Sequence, residues 1–152
     1  FAPRYMYMAY RGKYKPVHPD KYQGDPTKIT YRSLWERKCM KVFDSNPNVI
    51  MWSSEEISVP YVSPVDGKRH KYYPDFLIEL KNNEGKIQTL LIEVKPDKQT
   101  TEPKKPKSGR VTQRYITEVK RYAVNAAKWD AAKSVCENYG WQFRILTEKD
   151  IF

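Results

Sequence analysis

The sequence predicts one α/β domain built around a mixed sheet, on three observations. A helical period runs from Thr30 or Ser33 to Asp44. Two apolar runs, 76–80 and 87–94, flank the polar segment 82–86. A long helical pattern from Thr112 leads into Trp141, Phe143 and Ile145, which alternate with polar residues. The order is thus a helix, three antiparallel-connected strands, helices and a last strand, without an internal repeat, as in a sheet with helices packed on it. At 152 residues the chain is long enough for one real core and short for two.

Residues 1–28 carry Arg4, Arg11, Lys13, Lys15, Lys21 and Lys28 among tyrosines and prolines. They have no sustained period and read as an extended basic, Tyr-rich arm before a domain at 29–152. Leu34, Trp35, Cys39, Val42 and Phe43 recur at helical spacing, and Asn46-Pro47 supplies the stop. Residues 55–62 alternate Ile57, Val59 and Tyr61 with polar neighbours, and Pro60 predicts an exposed edge. Asp66-Gly67 then turns the chain back into a strand predicted over 70–80. After the second hairpin, residues 97–110 (DKQTTEPKKPKSGR) form a flexible basic loop, too polar to pack. The helical region from Thr112 to Tyr139 is predicted to break near Asn125, and Gly140 stands where a C-terminal cap belongs. Thr147-Glu148 caps a closing turn.

The chemistry concentrates around the second hairpin. If Asn83, Glu84 and Gly85 form a three-residue loop, Asp75 falls opposite Glu93, and Lys95 shares the Glu93 face. Directly opposed carboxylates destabilise a sheet, so this register calls for a cation between them. A four-residue turn would instead put Ile92 opposite Asp75 and send Glu93 to the other face. Helical spacing turns Glu36 inward with Cys39, Met40 and Phe43. Mg²⁺ prefers oxygen ligands and keeps several waters, so two or three converging carboxylates suffice to hold it. Each residue also has a plainer use. Asp75 can simply start a strand, Glu93-Val94-Lys95 can end one in solvent, and Ser33-x-x-Glu36 matches a capping box.

The net charge of +10 points to a polyanionic partner, most often nucleic acid. No apolar run approaches the roughly 18 residues of a membrane span, and no signal-peptide pattern opens the chain. Cys39 and Cys136 stand far apart, and neither they nor His18 and His70 form a cluster, so both cysteines read as reduced packing residues and zinc is not expected. Residues 97–121 hold eight Lys/Arg against three acids, a net +5 beside the Glu93 strand. Lys98, Lys104, Lys105, Lys107, Arg110 and Arg114 are the candidate phosphate contacts. Tyr5, Tyr7, Tyr10 and Tyr14 suit base stacking or packing on a protein. Tyr122 and Lys128 are secondary site candidates, Tyr122 with a core role in competition.

Pro74-Asp75, Glu93-Val94-Lys95 and a helical Glu36 resemble the PD-(D/E)xK nuclease superfamily, whose restriction-endonuclease-like core is a helix, three strands, a helix and a strand. The stretches MAYRGKY (8–14), KYQGDPTKITYRSLWE (21–36), WSSE (52–55), NAAKWDAAK (125–133) and FRILTE (143–148) resemble more closely the head completion nucleases of T-even-type tailed phages. The chain is also similar to the endonuclease subunit of heteromeric bacterial transposases. Residues 1–7 precede the start this resemblance leads one to expect. It implies a Mg²⁺-dependent DNA endonuclease, with Mn²⁺ as substitute, acting in the host cytoplasm or on the virion when a packaged head is finished before tail attachment. Head, portal or neck proteins are its implied partners. Asp75, Glu93 and the Val94 carbonyl would bind metal, Lys95 would position or activate the attacking water, and Glu36 would complete the site. A non-catalytic DNA plug or a neck adaptor is the competing reading; either needs the charge but not opposed carboxylates.

Overall fold

The computed structural model describes residues 10–152. Its centre is a four-stranded sheet in the order β3-β6-β7-β8, with β3 Val49–Ser54, β6 Phe76–Lys81, β7 Ile87–Val94 and β8 Gln142–Leu146. The first three strands run antiparallel, and β8 lies parallel to β7. Two small sheets flank it: β1 Gly12–Lys13 with β2 Thr30–Tyr31, and β4 Val59–Val62 with β5 Arg69–Tyr72.

Alternation along β6 and β7 divides the core in two. Phe76, Ile78, Leu90, Ile92 and Val94 face Trp35, Cys39, Met40 and Phe43 of helix α1, Leu34–Ser45. Leu77 and Leu91 face Trp129, Ala132 and Cys136 of helix α2, Gln113–Tyr139, together with Val59 and Tyr72. Glu93 and Lys95 continue the Leu91 side. Both cysteines are free and buried, as expected.

Local chemistry sets the element ends. Ser33 caps α1 by accepting the Glu36 N–H at 3.1 Å. Gly140, with φ +72°, ends α2 in the left-handed conformation, and Trp141 N–H returns to the Cys136 carbonyl at 2.8 Å. Thr147 caps the closing helix α3, Glu148–Ile151, in a capping box with Asp150.

Four expectations need correction. The first long strand of the sheet is β3 at 49–54, and within 55–62 only Val59–Val62 is strand, in a separate small sheet. A register shift between Val49 and Met51 breaks the alternation that would have revealed β3. The strand expected over 70–80 is two strands in two sheets, interrupted at residues 73–75, where Pro74 cannot donate to a ladder. Helix α2 runs unbroken through Asn125; one mid-helix Asn costs less than about 1 kcal/mol in propensity, and the buried Trp129, Ala132 and Cys136 hold the helix down.

The N-terminal segment from Tyr10 is packed rather than a free arm. Asp44, 2% exposed, accepts the Tyr14 hydroxyl at 2.9 Å and the backbone N–H groups of Val17 and His18 at 2.7 and 3.0 Å. Lys21 Nζ reaches the carbonyls of Asp44 and Asn46 at 3.0 and 2.8 Å. Tyr22 is buried, its ring edge-on to Trp52 at 4.7 Å. The arm residues Arg4, Tyr5 and Tyr7 lie outside the described residues.

Candidate active site

The β6–β7 hairpin fixes the site. Asn82 N–H bonds the Lys86 carbonyl at 2.8 Å, and Gly85, at φ +79°, closes a three-residue loop. Pairing then runs from Lys81↔Ile87 to Phe76↔Ile92, the register that sets Asp75 next to Glu93. The four-residue alternative does not occur.

Asp75 leaves the ladder at this point. Its carbonyl accepts the Glu55 N–H at 3.1 Å on the β3 side, while its Oδ2 accepts the Val94 N–H at 2.7 Å on the β7 side. Had β6 continued, Pro74 would pair with Val94. Pro74 has no N–H, and an extended residue points its N–H and C=O to the same edge, so the Val94 carbonyl opens toward Asp75 without a ladder donor.

The electrostatics match two crowded carboxyl groups. Burial pushes the Asp75 carboxyl well above the usual range, and the neighbouring Glu93 and Glu36 push it further. Glu93 is only 5% exposed. Burial also raises the Glu36 carboxyl to about 7, despite the lowering hydrogen bond from Arg32. The Tyr72 hydroxyl is buried beside Glu93, and burial followed by the Glu93 charge holds its proton on.

Glu36 keeps the helix-cap role as well. Its Oε1 accepts the Arg32 N–H and its Oε2 the Ser33 hydroxyl, both at 3.4 Å. The return bond of the expected capping box thus comes from Arg32 instead of Ser33. Among the described residues no three Asp, Glu, His or Cys side chains are gathered to hold one ion. Asp75 and Glu93 meet each other, whereas Glu36 is turned back toward its cap. This donor set fits Mg²⁺, which needs only one or two carboxylates besides waters.

Three cationic groups border the carboxylates. Lys95 follows Val94 and donates its N–H to the Leu146 carbonyl at 3.0 Å, which ties the end of β7 to β8. Lys128 of α2 places its ammonium 5.5 Å from the Tyr72 ring centre and 5.8 Å from that of Tyr61. Burial lowers its pKa, and the charges of Glu93 and Asp75 oppose that shift. Arg32 makes a two-pronged pair with Glu55, at 3.0 and 3.2 Å. This pair holds the guanidinium firmly protonated, with further support from Glu36 and Asp75.

Sequence reasoning missed Arg32, Glu55 and Tyr72. Tyr72 alone had a legible signal, as an aromatic residue three positions before Asp75. Of the candidate phosphate contacts, Lys98, Lys104 and Arg114 line a cleft of about 1150 Å³ between residues 96–104, the first turns of α2 and α3. Lys105, Lys107 and Arg110 are exposed outside that lining. Tyr122 both lines the cleft and packs edge-on to Trp129.

A helix, three antiparallel strands, a long helix and a parallel strand, with paired carboxylates where two central strands part, define a restriction-endonuclease-like domain. The chain belongs to the TnsA-like endonuclease N-terminal family, which matches residues 46–148. It is also 43% identical over 143 residues to the head completion nuclease of Enterobacteria phage T4, a match covering 93% of each chain. No solved structure matches it.

Proposed function

We propose that this protein is a Mg²⁺-dependent DNA endonuclease, able to use Mn²⁺, that processes DNA ends during phage head completion. The observation that carries the reading is the placement of the half-buried Asp75 beside the buried Glu93, where β6 and β7 part and Asp75 takes the Val94 N–H. Burying two like charges is costly unless they are neutralised, and a divalent cation neutralises both. The relative's name supports head completion as the setting.

Asp75, Glu93 and the Val94 carbonyl would hold the metal, with Glu36 the further carboxylate that would complete the site. When bound, the metal polarises the phosphate and lowers the pKa of water. Lys95 positions the water that attacks phosphorus as one P–O ester bond breaks, leaving a phosphate on one product end and a hydroxyl on the other. Lys128 and Arg32 add positive charge around the phosphate being cut. Lys98, Lys104, Lys105, Lys107, Arg110 and Arg114 hold the DNA by its phosphates.

The test is cleavage of linear, nicked and branched DNA by the purified protein with Mg²⁺, with Mn²⁺ and with EDTA. Cutting that depends on the metal supports the reading. Undiminished cutting in EDTA, or none with either metal, contradicts it.

A further inference from the structure

A second concavity lies beside the carboxylates, on the side of the N-terminal segment. It encloses about 320 Å³ and is walled by Arg11, Lys13, Lys28 and Arg32, with Glu55 as the one acid in its lining. The four cations come from two stretches of chain, 11–13 and 28–32, that β1 and β2 bring together. Glu55 is already engaged by Arg32, so the pocket keeps a net charge of +3 across its lining. Like charges so gathered repel one another, and an anion between them relieves that repulsion.

Two observations tie this pocket to the active site. Arg32 donates its N–H to Glu36 at 3.4 Å, and Glu55 donates its N–H to the Asp75 carbonyl at 3.1 Å, so one wall is shared. Glu55 also has a φ of +54°, a left-handed conformation that non-glycine residues rarely adopt and that clusters at functional sites. At the rim, Gly12 lies against the Tyr31 ring, which a Cβ there would push aside.

We infer that this pocket binds the terminal phosphate of a DNA end. The inference rests on the nuclease reading and adds what the enzyme recognises. An internal phosphodiester carries one negative charge and continues in both directions. A terminal phosphate monoester carries between about −1.5 and −2 and offers three acceptor oxygens. The latter suits a partly enclosed pocket with a threefold charge surplus, and charge-assisted bonds to Arg and Lys are the strong ones.

The test measures binding in EDTA, by fluorescence anisotropy, to DNA stem-loops with a single end. That end carries a 5′-phosphate, a 3′-phosphate or only hydroxyls. One phosphorylated end should bind roughly tenfold or more tighter than the hydroxyl end. Inorganic phosphate should erase the difference. A Lys13→Gln/Lys28→Gln variant with unchanged Tm, and Arg11→Gln separately, should lose the preference while keeping most affinity for the hydroxyl end. Equal binding of all three ends by the wild-type protein, or a preference that survives in the variants, overturns the inference. An equal loss on every stem-loop also overturns it, by assigning the pocket to internal phosphates. Metal-dependent cutting is scored separately in Mg²⁺, so failure of the nuclease reading is distinguishable from failure of the pocket.

Discussion

Asp75 takes the Val94 N–H at 2.7 Å in place of the backbone partner that a continuing β6 would have supplied. Pro74, where that partner would stand, has no N–H to return. One dipeptide therefore ends the ladder, turns a carboxylate into the gap and leaves a carbonyl open beside it.

Replacing Pro74 with Ala restores an N–H opposite Val94. We expect the variant to stay folded and to need roughly two- to tenfold more Mg²⁺ for half-maximal cleavage, the worth of one ordinary hydrogen bond competing for the carbonyl. A metal titration of the cutting rate checks this. An unchanged titration would show that the Val94 carbonyl is not a ligand.

Glu36 gives a prediction in pH. Its folded pKa of about 7 lies above the ordinary 4.5, so the folded protein holds this proton more tightly than the unfolded chain. Its stabilising contribution is complete below about 4.5, falls as pH rises toward 7, and stays lost above. Without metal, Glu36→Gln should match the wild type at about pH 4 and be more stable at about pH 8 by on the order of 2 kcal/mol. Denaturant unfolding at the two pH values decides it; parallel curves would remove the burial argument. Mg²⁺ favours the charged carboxylates and should raise the wild-type Tm at about pH 8.

Neutralising Lys104, Lys105 and Lys107 together should weaken DNA binding alike for all sequences. For every phosphate that the variant no longer touches, the log–log salt slope should fall by roughly one. Affinities across a salt series test this. An unchanged slope would show that these lysines do not touch DNA.

The parts of the fold set by neighbours in sequence were the legible ones. The Asn83-Glu84-Gly85 loop fixed the register of β6 on β7 and so brought Asp75 to Glu93; Ser33 and Gly140 marked their helix ends by their own chemistry. Contacts set by distant parts of the chain stayed hidden. The Arg32–Glu55 pair spans 23 residues and depends on a positive φ. The Asp44 clamp on residues 14–18 joins a helix to a segment without periodicity. A bulge scrambled the alternation of β3, and Pro74 split a continuous-looking apolar run between two sheets. Lys128 was legible as a secondary candidate on a helix covering the sheet; its approach to Tyr61 and Tyr72 depends on how α2 packs on β4.

The most direct measurement is the cutting of linear DNA by the wild type and by Asp75→Ala, Glu93→Ala and Lys95→Ala, each with Mg²⁺ and with EDTA, alongside Tm and DNA affinity. The paired-carboxylate mechanism predicts that all three variants lose cleavage while fold and DNA affinity are largely kept. It also predicts that Asp75→Asn, which keeps an acceptor for the Val94 N–H, has a Tm no lower than wild type without metal, because the repulsion from Glu93 is gone. Wild-type cutting rates in any one of the three folded variants would contradict it.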